Sequence, residues 1–167
     1  ISERYAPGST FKVLTAIALI ENGIANPDTR MDSPVSTTLP GTNTEGSNIE
    51  SSTCGDGKPT LTEAFARACN TTFVLASEKL TTQQLTDVTK RFGFGHEQEI
   101  PLTVIPSVFP SDADSAQLAM SSIGQYTVQA TPMQMAQVAQ TIANGGQIMS
   151  PYLIKQIVDA DNQTIRK

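Results

Sequence analysis

The chain has 167 residues, of which 38% are hydrophobic and 16% are charged, so it fits one domain or a large piece of one and has enough apolar residues for a packed core. Its net charge is −5, and its 11 Lys and Arg residues are dispersed along the sequence. A nucleic-acid partner is therefore not expected, because a phosphate-binding surface needs clustered basic residues.

The first predicted element is a helix from Ser9 to about Asn22. Its apolar residues cover most of a helical surface, as in a buried helix, and Gly23 suits its C-terminal end. The longest nearly apolar stretch lies within it, at residues 13–20, and is far shorter than the roughly 20 residues that a bilayer span needs. We therefore expect no membrane contact from this segment itself.

A long surface excursion is expected over residues 26–58, which are rich in Ser, Thr, Gly, Pro and Asn and are compatible with short strands. It contains Cys54, and the only other cysteine is Cys69. With no second pair and no histidine cluster, a structural zinc site is not predicted. Two interpretations stay open: a disulfide, which an oxidising compartment would permit, or two small buried hydrophobic residues.

Five further helices are predicted at residues 60–68, 70–80, 81–92, 111–122 and 131–144. Thr60 and Glu63 form a capping box at the start of the first. Thr131 is the N-cap of the last, followed by Pro132 at the first helical position. Residues 152–158 and 164–166 are then predicted to pair as a β-hairpin. The sequence thus predicts a mainly helical segment with a few short strands.

Ser9 and Lys12 are the strongest candidates for chemistry. Three residues apart at a helix start, their side chains share one face. The first turn favours negative charge on the serine oxygen, and a desolvated lysine can accept the serine proton. The spacing alone is weak, because a capping serine and a solvated lysine would produce it too. A phosphate loop is excluded, since Phe11 and Val13 stand where that motif requires glycine and a hydroxyl residue.

The residues around Ser9, YAPGSTFK at 5–12, resemble the first active-site motif of penicillin-binding proteins. Further blocks agree in the same order: ARACNTTF at 66–73 resembles the second-motif region, and IGQ at 123–125, TPMQMA at 131–136 and IANGG at 142–146 resemble the elements before the third motif. The resemblance is strongest toward class B, monofunctional transpeptidases of actinobacterial type. It implies a mainly α fragment of the α+β serine transpeptidase and β-lactamase-like fold, with most of the central sheet outside this chain.

The resemblance implies a role for three residues. Ser9 would be the nucleophile that attacks the penultimate D-Ala carbonyl of a peptidoglycan stem peptide, or a β-lactam ring, to form an acyl-enzyme. Lys12 would be the general base, and Asn70 would bind substrate and hold Lys12 in place. The oxyanion hole would include the backbone N–H of Ser9. No metal and no cofactor is implied.

Two departures from the family pattern stand out. Ala68 occupies the position of a serine that relays a proton to the leaving group. Three explanations are open: a natural variant that uses a water for the relay, a substitution that has been introduced, or an impaired acylation step. The Lys-Thr-Gly or Lys-Ser-Gly motif does not occur in the sequence. We therefore expect residues 1–167 to be a partial transpeptidase domain, from just before the first motif to before the third, and to be inactive alone. A bridge from Cys54 to Cys69 would pin the long loop beside the second motif.

For the parent protein, the resemblance implies a peptidoglycan D,D-transpeptidase on the extracytoplasmic face of the membrane, anchored by an N-terminal helix outside this chain. Its ligands would be stem peptides and β-lactams, and its partners membrane proteins of division or elongation. A serine β-lactamase is one rival, but neither Glu97 nor Glu99 is well placed as its deacylating base. A non-catalytic homologue acting as sensor or scaffold is another, favoured by Ala68 and disfavoured by the intact Ser9 and Lys12. A plain helical interaction domain is the third.

Overall fold

The computed structural model describes residues 2–98 and 100–166 of the chain. Their elements are a 3₁₀ turn (Gly8–Phe11), α1 (Lys12–Glu21), β1 (Ser36–Thr38), β2 (Glu45–Ser47), a second 3₁₀ turn (Ile49–Ser51), α2 (Leu61–Ala66), α3 (Asn70–Ser77), α4 (Thr82–Arg91), α5 (Ser115–Ser122), α6 (Pro132–Ala143), β3 (Ile157–Val158) and β4 (Thr164–Arg166). The strands form two small antiparallel hairpins, β1–β2 and β3–β4. The predicted mainly helical architecture with few short strands is confirmed.

Helix α1 lies at the centre of the fold, in contact with α2, α3 and α4. Its residues Leu14, Ala18 and Leu19 are fully buried, and so is Phe11 just before it. The Phe11 ring stacks on Phe109 at a centroid distance of 5.8 Å and meets the edge of Phe94 at 5.9 Å. Burial of one such ring stabilises the fold by about 2–3 kcal/mol. Because Phe11 lies between Ser9 and Lys12, the core anchors both of them.

The start of the first helix differs from the prediction, since residues Gly8–Phe11 form a 3₁₀ turn rather than α-helix. The Lys12 N–H bonds to the Ser9 carbonyl three residues back, which tightens this turn. Gly8 enters it with φ +56°, and its N–H donates to the Gly124 carbonyl at 3.0 Å. The candidate serine therefore lies on a turn that is hydrogen-bonded to Gly124, a residue far away in the sequence.

Side-chain caps determine where the later helices begin. Thr60 and Thr81 cap α2 and α4 through reciprocal capping boxes, and Thr131 caps α6. The predicted start of α5 at residue 111 is wrong. Asp114 caps this helix through a box with Gln117, so the preceding residues stay outside it.

The C-terminal hairpin is shorter than predicted, because residues 152–156 do not join it. Only Ile157 and Val158 pair with β4, and the register shifts between them. The Asp159 carboxylate accepts from the N–H groups of Asp161 and Gln163 at 3.0 and 2.8 Å, which closes the turn. Within the described ranges, no helix is long and apolar enough to cross a bilayer.

Two distant segments meet beside the candidate serine. Tyr5 forms a bridge with Ala130, and the Gly8 N–H bonds to the Gly124 carbonyl. Gly124 has φ +70°, and a Cβ there would overlap the Gly8 carbonyl oxygen and lie 2.8 Å from Phe11 Cβ. Only glycine fits a position that combines left-handed backbone with this close approach.

The substitution Gly124→Ala should therefore destabilise the whole protein by about 2–5 kcal/mol, the combined effect of left-handed strain and overpacking. Gly145→Ala is the matched control, because Gly145 has φ +63° with no atom within 4 Å of its Cβ position; it should cost only about 1–2 kcal/mol. Urea unfolding of both variants measures the difference, and equal losses would contradict the close-packing argument.

Candidate active site

The Lys12 amine is the centre of the candidate site. Its Nζ lies 2.9 Å from Ser9 Oγ, 2.8 Å from the Ala68 carbonyl oxygen and 2.6 Å from Asn70 Oδ1. The lysine is only 1% exposed although it carries the only ionisable group in this cluster. Three parts of the chain therefore converge on one nitrogen: the start of α1, the α2–α3 connection and the first residue of α3.

The identity of the three partners restricts where protons can lie. The Ala68 carbonyl and the Asn70 amide oxygen can only accept hydrogen bonds, whereas the Ser9 hydroxyl can also donate one. A neutral amine has two N–H donors and one lone pair. When both donors are used on Ala68 and Asn70, the lone pair faces Ser9. The geometry thus allows Lys12 to accept a proton from the Ser9 hydroxyl.

Burial lowers the pKa of Lys12 from 10.5 to about 8, because desolvation penalises the charged form. The ion pairs of residues 2–98 and 100–166 join Arg30 to Asp56, Lys58 to Asp32 and Arg91 to Glu21, and none of them involves Lys12. The Phe73 ring, whose centroid lies 5.8 Å from Nζ, adds a cation–π contact to the charged form of Lys12. A substantial neutral fraction therefore exists near pH 8.

The orientation of the Asn70 amide is set by a second contact. Its Nδ2 donates to the Ser47 carbonyl at 3.0 Å, and this leaves Oδ1 for the Lys12 amine. A flipped amide would place an N–H group against Lys12 and an oxygen against a carbonyl, losing both bonds. The end of β2 thus determines which atom of Asn70 faces the lysine.

Ala68 presents its carbonyl to Lys12 because of its unusual backbone conformation, with φ +54°. It follows the last turn of α2, where the Cys69 N–H bonds to the Ala64 carbonyl and the Ala68 N–H to the Phe65 carbonyl. This pair of bonds is the Schellman motif, which reverses the chain at a left-handed residue. The departure from the family serine therefore lies at a strained backbone position within the site.

A disulfide joins Cys54 to Cys69, with Cα atoms 5.9 Å apart. Both cysteines are buried, at 8% and 2% exposed. Since Cys69 lies between Ala68 and Asn70, the bridge ties the long loop to the residue that separates two acceptors of the Lys12 amine. Of the two interpretations that the sequence leaves open, the structure has the disulfide.

A cavity of about 370 Å³ opens over Ser9, a volume in the range of small-ligand sites. Its walls come from the end of the β1–β2 hairpin, the start of α3 and the segment that follows α5; the lining residues include Leu39, Glu45, Ser47, Asn70, Met120 and Gln125. Among the described residues that line it, Glu45 carries the only charge. Sequence analysis missed Glu45, because it lies in the excursion that has no periodicity to place it.

The other titratable candidates lie elsewhere. Glu97 and the histidine His96 line a separate cavity of about 410 Å³ at the C-terminal end of α4, and Glu99 lies outside the described residues. The structure thus places Glu97 in no position to serve the Ser9 cavity. In the part of the chain that the structure describes, no three His, Cys, Asp or Glu side chains cluster as a metal site would require.

A helical domain with a serine hydroxyl beside a buried lysine amine is typical of proteins with a Ser-x-x-Lys active site. Comparison with known proteins gives the family. Residues 1–167 match the penicillin binding protein transpeptidase domain. The chain is 45% identical over 168 residues to the peptidoglycan D,D-transpeptidase PbpA of Mycolicibacterium smegmatis, covering 99% of this chain and 34% of that protein. It is 40% identical over 164 residues to PbpA of Mycobacterium tuberculosis, covering 96% and 33%. The chain belongs to the penicillin-binding protein transpeptidase family.

Solved structures agree with this assignment. The imipenem acyl-enzyme complex of penicillin-binding protein A from M. tuberculosis superposes with a TM-score of 0.92 at 38% identity, over 99% of this chain and 38% of that one. The D,D-transpeptidase domain from Eggerthella lenta superposes at 0.88 with 30% identity, over 98% and 42%. The family and fold inferred from the matching sequence blocks are confirmed. The chain spans about a third of the length of the curated relatives it matches.

Replacing Ala68 by glycine should stabilise the whole protein by about 0.5–1 kcal/mol, because glycine removes the strain of a left-handed alanine. The same change at Ala66, which is an exposed helical residue of α2, should instead destabilise by about 1 kcal/mol. Urea unfolding of the two variants gives both values. A loss of stability in Ala68→Gly would contradict the strained-turn interpretation.

Proposed function

We propose that the protein containing this segment is a peptidoglycan D,D-transpeptidase that acts through an acyl-serine intermediate on Ser9. One observation carries the proposal: the buried Lys12 amine is held 2.9 Å from Ser9 Oγ by acceptors that leave its lone pair toward the hydroxyl. Relatives named peptidoglycan D,D-transpeptidase and a neighbour captured as a penicillin G acyl-enzyme support the substrate class. The activity is proposed for the whole protein.

In the first half-reaction, neutral Lys12 accepts the hydroxyl proton while Ser9 Oγ attacks the penultimate D-Ala carbonyl carbon. The backbone N–H of Ser9 is one donor to the developing oxyanion. The C–N bond to the terminal D-Ala breaks, the leaving amine takes up one proton, and an ester forms on Ser9. Asn70 holds Lys12 and binds the substrate amide. A β-lactam follows the same path, except that the broken C–N bond lies in its ring.

In the second half-reaction, the amine of another stem peptide attacks the ester carbonyl and loses a proton. Ser9 leaves as its hydroxyl, and a new peptide bond joins the two stems. Ala68 brings no hydroxyl to either step, so the proton reaches the leaving amine from Lys12 directly or through a water. The site thus differs from the family pattern at residue 68, where no serine hydroxyl is available to relay the proton.

The proposal includes a place in the cell. We take residues 1–167 as part of a transpeptidase domain whose third motif lies outside them, on the extracytoplasmic face of the membrane, where the parent is anchored by an N-terminal helix. The Cys54–Cys69 disulfide fits an oxidising compartment. Membrane proteins of division or elongation are the proposed partners; a neighbour at TM-score 0.82 and 28% identity comes from a peptidoglycan synthase complex.

A second candidate function is a non-catalytic homologue that senses or scaffolds. One observation favours it, namely that the second motif has Ala68 in place of serine. The two candidates differ in a direct measurement, since only the first requires a covalent adduct on Ser9.

The rate of Ser9 acylation by a fluorescent penicillin should rise as the pH passes through about 8, because the neutral amine of Lys12 is the competent form. Lys12→Met should lower this rate by about 100-fold or more. Stopped-flow fluorescence on the whole protein measures the rate, and intact mass of Ser9→Ala, which should carry no adduct, identifies the site. A rate in Lys12→Met within tenfold of the wild type would contradict the assignment of the base.

The same lysine should affect stability with a definite sign. Its folded-state pKa is about 8, against 10.5 in the unfolded chain, so the folded protein binds fewer protons between these values. The free energy of unfolding should therefore rise with pH across this window. Urea unfolding at several pH values should show that rise in the wild type and its absence in Lys12→Met.

Ala68→Ser should restore the hydroxyl of the family pattern and raise the acylation rate by about 100-fold, the lower end of proton-transfer contributions. Ala68→Gly is the control, because it changes the backbone preference but adds no proton donor. An adduct in Ala68→Ser combined with none in the folded wild type would replace the proposal by the non-catalytic candidate.

A further inference from the structure

Asn48 lies at the end of β2 and is only 7% exposed. Its side chain joins three segments. Oδ1 accepts from the Thr71 N–H at 3.0 Å, and Nδ2 donates to the carbonyls of Pro34 and Ser52 at 2.9 and 3.1 Å. Both N–H donors and the oxygen of the amide are therefore engaged, which fixes its orientation.

The contact with Thr71 replaces a local helix cap. Helix α3 begins at Asn70, and its N-cap residue Cys69 makes no side-chain cap bond; the first turn holds no acidic residue either. The sulfur of Cys69 is a weak hydrogen-bond acceptor, so the cap comes from elsewhere. An amide oxygen on the second N–H group of a helix satisfies one of its unpaired donors.

Two neighbouring bonds connect β2 to α3. The Ser47 carbonyl accepts from Asn70 Nδ2 at 3.0 Å, and the side chain of Asn48 accepts from the Thr71 N–H at 3.0 Å. Ser47 precedes Asn48 in the chain and Asn70 precedes Thr71, so the two bonds join adjacent residues on both sides. A shift of Asn48 therefore moves Ser47, and with it the contact that sets the orientation of the Asn70 amide.

The surroundings of Asn48 are rigid on one side and strained on the other. Thr71 and Ser33 are fully buried and bond to each other at 3.2 Å. On the far side, Glu50 and Ser51 have φ of +60° and +50°, in a turn that the Asn48 contact with the Ser52 carbonyl closes. Non-glycine residues hold such conformations only where the surroundings impose them.

We propose that Asn48 is a positioning residue of the Ser9 site: its side chain caps α3 from the end of β2 and so holds the Asn70 amide against the Lys12 amine. The inference rests on the proposed function for its kinetic readout only. Asn48 touches neither Ser9 nor the substrate cavity, so it acts through Asn70.

The test compares three variants of the whole protein by acylation with a fluorescent penicillin across pH. Asn48→Ala should slow acylation at pH 7 by about tenfold and raise the midpoint of the pH profile by about half a unit or more, because a loosened Asn70 lets water reach Lys12. Asn48→Gln keeps a neutral amide with the same donors and acceptor on a longer side chain, so it should show a smaller change in the same direction.

Thr131→Ala is the matched control. Thr131 is 2% exposed and caps α6 through a 3.1 Å bond from the Gln134 N–H. It takes part in none of the bonds that hold Lys12 or Asn70, so its loss should lower the melting temperature without moving the midpoint. A midpoint unchanged in folded Asn48→Ala, or equal slowing in both alanine variants at a constant midpoint, would overturn the proposal. Should Asn48→Ala not fold, the same criterion applies to Asn48→Gln.

A measurement independent of catalysis separates this inference from the proposed function. NMR titration of ¹³Cε-labelled lysine, with Lys12 assigned by its absence in Lys12→Met, gives the protonation midpoint of Lys12 directly. A higher midpoint in Asn48→Ala than in wild type supports the positioning role even if no penicillin reacts. An identical midpoint in a folded variant refutes the role, whatever the acylation rate.

Discussion

The burial of one amine without a carboxylate partner is the constraint on which the rest of this structure depends. Lys12 is surrounded by three oxygens, each from a different part of the chain. A buried ammonium is costly unless its protons are all accepted, and a neutral amine is useful only if its lone pair meets a donor. The fold meets both conditions by placing two fixed acceptors and one hydroxyl around the nitrogen. The long excursion, the strained turn and the disulfide all serve to hold those acceptors.

The site is therefore supported from two sides. From below, Phe11 packs between Phe94 and Phe109 and anchors the turn that bears Ser9 and Lys12. From the opposite side, the end of β2 and the disulfide hold the residues that accept the lysine protons. The cavity over Ser9 therefore opens between two supports that hold its lining residues in place.

Much of this arrangement could be predicted from the sequence, because it is encoded locally. The capping boxes at Thr60 and Thr81 place α2 and α4, and the Ser-x-x-Lys spacing places Ser9 beside Lys12. What could not be predicted depends on contacts between residues far apart in sequence. The role of the Ser47 carbonyl in orienting Asn70 leaves no trace in the residue types. The start of α5 is different, since the Asp-x-x-Gln box that determines it is a local pattern visible in the sequence itself.

The disulfide has a consequence for when the site becomes complete. Cys69 separates the two residues whose oxygens hold the lysine, so a newly made chain in a reducing environment lacks the covalent clamp on both. Closing this loop removes about 3 kcal/mol of conformational freedom from the unfolded chain. With the extracytoplasmic location that we propose, oxidation would be a maturation step, and Ser9 and Lys12 would reach their final surroundings only after it.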